Sequence, residues 1–217
     1  VEVMGRKGFI VGGTTRSNLR FGKSPIRSTY YVENADFISC SLDSYLFKFD
    51  MIRNLKKGGT FLLNTTFSAD EIVNYMPNKV KKQLAEKEAK FYIINAVDIA
   101  RELGMGRHTN TILQSAFFKL SPSIMPYDDA VKYMKQAAYK AYSKKGEAIV
   151  ELNYKAIDRG AEGLVEIKVD SAWANLPKDV KAENKDLPEF VSKIANPINA
   201  VKGYDLPVSA FLGYEDG

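Results

Sequence analysis

One thiol, Cys40, and one imidazole, His108, bound the nucleophilic and metal chemistry open to this chain. A thiol nucleophile needs a base and a zinc site needs further ligands, so these two residues alone supply neither. Cys40 stands in the apolar run ADFISCS and is expected as a small buried strand residue. No serine sits in a G-x-S-x-G elbow, and His108 lies in a Gly-rich turn with no evident orienting partner. Glu71, Glu86 and Glu88 are not spaced as an acid–base pair. What remains is the chemistry of holding a ligand. Gly104, Gly106 and Arg107 directly precede an expected helix, whose free N–H groups and partial positive charge favour an anion. Asn110, in the turn leading into that helix, either caps it or contacts a ligand amide. The pairs Gly12–Gly13 and Gly58–Gly59 form neither a G-x-G-x-x-G nor a P-loop and are expected in tight turns. Arg20, Lys23 and Arg27 read as a charged surface turn, and Asn153, within a later helix, as an exposed polar position.

The elements that would position these residues alternate. GFIVGG, SNLRFG, STYYV, ADFISCS, GGTFLLNT and AKFYIINA are rich in β-branched or aromatic residues and end at Gly, Asn, Asp or Ser, which predicts strands. Leu46, Phe49, Ile52 and Leu55 recur every third residue, which predicts a helix across SYLFKFDMIRNLKKG stopped by Gly58 and Gly59. Ser68 and Glu71 form a capping box ahead of EIVNYM, and Pro77 opens a second short helix. DIARELGMG predicts a helix ended by Gly104. TNTILQSAFFKLS follows, with Thr109 as its N-cap. YDDAVKYMKQAAYKAYSKKG and KGEAIVELNYKAIDRGAEGLVEIK predict two more helices, Gly160 and Gly163 weakening the end of the last.

Strands that are apolar nearly throughout require cover on both faces. The expectation is therefore an α/β fold, a three-layer α/β/α domain over residues 1–169 with a mixed, mostly parallel sheet and either helices at one edge or an added helical hairpin. From 170 to 217 the composition shifts: four of the eight prolines lie there, and the segment reads as an extended C-terminal arm with one short helix at LPEFVSKIA. Trp173, Phe190 and Phe211 are the expected pins of that arm.

Composition excludes several classes. With 45% hydrophobic and 26% charged residues, the chain has the material of a globular core. It lacks the apolar run a membrane helix needs. The net charge of +5 comes with no basic–aromatic stripe, so no nucleic-acid partner is expected. A single cysteine fits a reducing, cytoplasmic setting. Beginning at Val1 and stopping at YEDG, the chain is expected to be an excised piece of something longer.

LRFGKSPIRSTYYVENADFISC, GGTFLLNT, KFYIINAVDIARELGMGRHTNTILQSAFFKL, AVKYMKQAAYKAYSKKGEAIVELNYKAID and DLPVSAF, in that order, resemble the third, γ-type domain of the pyruvate:ferredoxin (flavodoxin) oxidoreductases. The resemblance runs from about Gly12 onward. It implies a parent enzyme that converts pyruvate and coenzyme A to acetyl-coenzyme A and CO2, passing electrons to ferredoxin or flavodoxin. Thiamine diphosphate, magnesium and iron–sulfur clusters are implied in the parent, outside this chain. The implied partners are other domains or subunits of the same enzyme, a homodimer, and the isolated chain is not expected to be active. The resemblance also places the family's coenzyme A asparagines at Asn110 and Asn153, with Arg107 beside the anionic end of that molecule. The family's Gly-rich coenzyme A loop lies upstream of the matched region, and the arm resembles the stretch leading to a ferredoxin-like module. A pure docking module with no ligand of its own is the alternative.

Overall fold

The computed structural model describes residues 2–6 (as backbone), 15–27, 31–179, 187–200 and 202–214. A two-stranded antiparallel ribbon pairs β1 (Glu2–Arg6) with β2 (Asn18–Gly22). The main sheet begins with β3 (Ala35–Cys40), followed by a single helical turn, α1 (Tyr45–Lys48), and the long β4 (Leu55–Asn64). Helices α2 (Ala69–Tyr75) and α3 (Asn78–Glu86) lead to β5 (Lys90–Ile94). Four helices then follow without a strand between them: α4 (Ala96–Glu102), α5 (Asn110–Leu120), α6 (Tyr127–Tyr142) and α7 (Glu147–Glu162). The chain returns to the sheet as β6 (Leu164–Ile167). Strand order is β3-β4-β5-β6, the first three parallel and β6 antiparallel to β5.

The strands' period of two sends their side chains into two separate cores. Phe61, Leu63, Phe91 and Ile93 pack with Leu46, Ile72, Val80 and Leu84 under α1, α2 and α3. Leu62 and Ile94 pack with Ile99, Ile112, Ala116 and Ala156 under α4, α5 and α7. Phe61, Leu62 and Leu63 are all fully buried, each stabilising by roughly 1.5–3 kcal/mol. This is the expected three-layer α/β/α arrangement with a mixed, mostly parallel sheet.

The capping box forms as expected: Glu71 N–H donates to Ser68 Oγ, and Ser68 N–H donates to Glu71 Oε2 at 2.8 Å. Two expected helices are corrected. The helix over SYLFKFDMIRNLKKG is confined to α1, and the stretch from Leu55 belongs to β4. Gly58, at φ +72, lies inside that strand, where the register steps from Ala35 opposite Leu55 to Phe37 opposite Thr60. The Gly58–Gly59 pair thus carries a bulge and stops no helix. The last helix ends at Glu162, and LVEI is the antiparallel strand β6. Of the remaining strand expectations, GFIVGG, including Gly12–Gly13, falls outside the described residues, as do residues 28–30 of STYYV; Tyr31 and Val32 are not in a strand.

The C-terminal segment is not extended throughout; it winds as short turns. A 3-10 turn at Ser171–Asn175 seats Trp173 against the core under α3. The expected short helix appears as a π-helical turn, Val191–Ala195, running into α8 (Asn196–Asn199). Asp179 reaches back 100 residues, its carboxylate accepting from Asn78 N–H (2.9 Å) and Lys79 N–H (2.8 Å). It supplies the cap that Pro77 cannot. Further along, Asp205 accepts two hydrogen bonds from the Arg53 guanidinium, and Lys202 approaches Asp50. Phe190 packs on Tyr214 with ring centres 5.1 Å apart. Every anchor to the body of the domain named here reaches the α1–α3 side of the sheet.

Candidate functional site

Gly104 has φ +73 and ends α4, and Gly106 has φ +60, so this turn uses conformations that side chains with a Cβ rarely adopt. The turn carries Arg107 and His108, both exposed, into α5. Thr109 occupies the N-cap as expected but makes no side-chain capping bond. Asn110, the first residue of α5, is exposed. It is therefore available to a ligand and not committed as the cap.

Asn153 departs from its expected exposed position. It is only 5% exposed and lies on the buried stripe of α7 with Val150, Ala156, Ile157 and Gly160. Its Nδ2 donates to the Ile149 carbonyl at 2.8 Å, and its Oδ1 accepts from the Thr111 hydroxyl at 3.3 Å. Thr111 is the residue after Asn110. The fold therefore ties Asn153 of α7 to the first turn of α5, which Asn110 opens, through a residue that sequence reasoning passed over.

The close approach of α5 and α7 makes the corner where this tie forms. A Cβ added at Gly160 would lie 2.4 Å from the Ile112 carbonyl oxygen and 2.8 Å from Ser115 Cβ. Only glycine lets the two backbones meet here, so Gly160 serves packing and does not merely weaken the helix end. Ser115, fully buried, donates to the Ile157 carbonyl at 2.5 Å and lies 3.0 Å from the Tyr127 hydroxyl. At the outer end of α5, Phe117 packs edge-on against Phe37 and stacks with Phe21 of β2.

Elsewhere the chemistry is sparse. Burial pushes the Cys40 thiol up to about 11, with a backbone hydrogen bond at Leu42 opposing this and the Asp43 carboxylate adding to it. It is a protonated, buried donor, as the apolar context predicted. Among the described residues, no group of three or more His, Cys, Asp or Glu side chains is placed to hold a metal ion. A lone, protonated thiol does not fit an iron–sulfur cluster, which is held by several thiolates. Lys23 and Arg27 are exposed in the turn after β2, as expected of a charged surface turn, whereas Arg20 is half-buried within β2 itself. A cavity of about 330 Å³ lies between the start of β5 and the end of β6, lined in part by Glu88, Lys90, Glu166 and Lys168. Arg107, Asn110 and Asn153 do not line it. No helix among the described residues is long and apolar enough to cross a membrane.

A four-stranded mixed sheet with a helical corner of this kind defines an α/β module that presents amides and a helix start. The crystal structure of the pyruvate oxidoreductase subunit PORC from Thermotoga maritima shares this fold, with a TM-score of 0.57 and 18% identity, covering 77% of this chain and 81% of that one. The profile of the pyruvate ferredoxin/flavodoxin oxidoreductases matches residues 8–163, and the chain belongs to that family. A second profile, EKR, a domain of unknown function, matches residues 177–217. The chain is 46% identical over 200 residues to the pyruvate:ferredoxin oxidoreductase of Moorella thermoacetica, covering 92% of this chain and 17% of that protein. It is 48% identical over 206 residues to the pyruvate-flavodoxin oxidoreductase of Enterobacter agglomerans, covering 95% of this chain and again 17% of the relative. Against the pyruvate dehydrogenase [NADP(+)] of Cryptosporidium parvum it is 40% identical over 227 residues, covering 92% of this chain and 12% of that protein. The chain thus spans about a sixth or less of the length of these curated relatives.

Proposed function

We propose that this chain is one module of a cytoplasmic pyruvate:ferredoxin/flavodoxin oxidoreductase, which converts pyruvate and coenzyme A to acetyl-coenzyme A and CO2 and passes the electrons to ferredoxin or flavodoxin. Residues 1–169 form the γ-type α/β/α unit, and residues 170–217 are the arm leading toward a ferredoxin-like module. The observation that carries this reading is similarity over 92–95% of the chain, at 46–48% identity, to relatives bearing those names. Thiamine diphosphate, magnesium and the iron–sulfur clusters belong to other modules of the parent, a homodimer. This chain performs no covalent step.

Its own contribution is to hold the thiol carrier. The exposed amide of Asn110 can donate to and accept from the amides of the pantetheine arm, and Asn153 stands behind it. Arg107 and the start of α5 favour the phosphate-bearing end. Restricting the carrier's position lowers the entropic part of the acyl-transfer barrier. Isothermal titration of coenzyme A into the full-length oxidoreductase tests the site. Asn110→Ala is expected to weaken binding about 3–10-fold, the worth of one neutral hydrogen bond. Unchanged affinity in both Asn110→Ala and Asn153→Ala would reject it. The rival reading, a docking module with no ligand, draws on the two internal hydrogen bonds that already engage the Asn153 amide.

A further inference from the structure

We infer that Thr111 is a positioning residue of the coenzyme A site, holding the Asn153 amide in one orientation and tying the first turn of α5 to α7. The inference rests on the reading that Asn110 and Asn153 contact coenzyme A.

A carboxamide can be turned end for end, and its neighbours decide which end faces which way. The Ile149 carbonyl can only accept, so the group 2.8 Å from it is the NH2 of Asn153. Oδ1 then faces the Thr111 hydroxyl at 3.3 Å, and that hydroxyl must be the donor. The two bonds use one N–H and one lone pair of the amide. One N–H and one lone pair remain for a bound molecule.

Thr111 also carries the coupling between the two asparagines. It follows Asn110 directly in the first turn of α5, while its hydroxyl rests on a residue 42 positions later in α7. Its branched Cβ leaves χ1 two common rotamers in a helix, and the one adopted here sets the hydroxyl against Asn153. Without that hydroxyl the amide keeps only the Ile149 bond. The α5 start then loses its polar tie to Asn153, and the spacing of the two amides is no longer set at that end.

The test uses the full-length oxidoreductase with Thr111→Val, which keeps the shape and removes the donor, and Thr111→Ser, which keeps the donor. Thr111→Val is expected to raise the KM for coenzyme A about 3–10-fold, as the loss of one neutral hydrogen bond predicts. The KM for pyruvate and the kcat at saturating coenzyme A should stay within about twofold, and Thr111→Ser should restore the KM for coenzyme A. Should Thr111→Val fail to fold, Thr111→Ala takes its place with the same expectation. An unchanged KM for coenzyme A in Thr111→Val, with Asn110→Ala raising it, overturns the role of Thr111 and leaves the site standing. If neither variant changes that KM, the site reading itself fails. A fall in kcat and melting temperature with no split between the two KM values marks Thr111 as merely structural and also overturns the inference.

Discussion

Replacing Gly160 by alanine should destabilise the domain, although alanine is the better helix former. The substitution gains about 1 kcal/mol of helix propensity. Against this, the new methyl would lie 2.4 Å from the Ile112 carbonyl oxygen, a contact that real Cβ atoms essentially never make below 3.0 Å. The neighbour is backbone, so no rotamer change relieves it, and α5 must retreat from α7. A retreat loosens the seam of Ala116, Ala156 and Ser115 along the same interface. Overpacking of this kind costs about 1–3 kcal/mol, and an immovable neighbour puts this case at the upper end. The net expectation is a loss of about 1–2 kcal/mol, or about 2–8 °C in melting temperature for a domain of this size. Thermal unfolding followed by circular dichroism reads it directly. Gly163→Ala is the matched comparison, because its new methyl would meet mainly Ile99 Cδ1, at 2.6 Å, the end of a side chain that can rotate away. It should lose less. If Gly160→Ala melts at or above the parent temperature, α5 and α7 are not in backbone contact, and the geometry argued for the asparagine corner goes with them.

Asp179→Ala should cost about 0.5–2 kcal/mol by uncapping α3, with Asp179→Asn retaining most of the stability, since asparagine caps as well. Limited proteolysis should find the arm cut faster in the alanine variant, and equal cutting would show that the arm does not depend on this cap. Burial raises the Asp50 carboxyl, but hydrogen bonds from Lys79 and Gln83 and the nearby Lys79 and Lys202 ammoniums outweigh it and hold the group below its usual range. The stability this contributes is present above the unfolded-state value near 4 and is lost as pH falls through the folded one. Denaturant unfolding should therefore lose an acid-side contribution in Asp50→Asn while showing little change in slope between about pH 5 and 7. Cys40, protonated and buried, should react with a thiol reagent at mildly alkaline pH only on the timescale of unfolding. Rapid labelling of the native chain would contradict its placement.

What was legible in the sequence was local. Ser68 and Glu71 lie three residues apart, so their reciprocal caps can be read without knowing the fold. ADFISC and KFYII are strands by composition; KFYII is largely buried inside the sheet, whereas ADFISC, at its edge, is buried only at Cys40. The misread segments depend on distant partners. LVEI follows Gly163, which by itself reads only as a weakened helix end, and it becomes β6 because Leu164–Ile167 pairs with Phe91–Ile94. Leu46, Ile52 and Leu55 keep a helical spacing and are all buried, but Ile52 lies in a turn and Leu55 in a strand. A spacing of three cannot distinguish these cases over so short a stretch. Asn153 was recoverable: Val150, Asn153, Ile157 and Gly160 recur at steps of three, four and three, the stripe of a buried helix face. Thr111 was not, because a threonine in a first turn looks the same whether its hydroxyl meets water or a side chain on another helix.

The two faces of the sheet carry different burdens, and this bears on how the corner stays open. Trp173, Asp179 and Asp205 all fasten the C-terminal segment on the side of α1 and α3. The α5–α7 corner lies on the other side, over the core that contains Leu62, Ile112 and Ala156. Its seam is built of small residues, so the helices touch without large side chains filling the space between them. At the end of that seam the buried amide of Asn153 has both its oxygen and its nitrogen engaged, which avoids the cost of an unsatisfied polar group. Asn110, one residue from Thr111, is left facing solvent on a helix start held rigid from behind. The proposed role of holding a thiol carrier would call for such an arrangement: an exposed polar contact on an element whose position is set by packing.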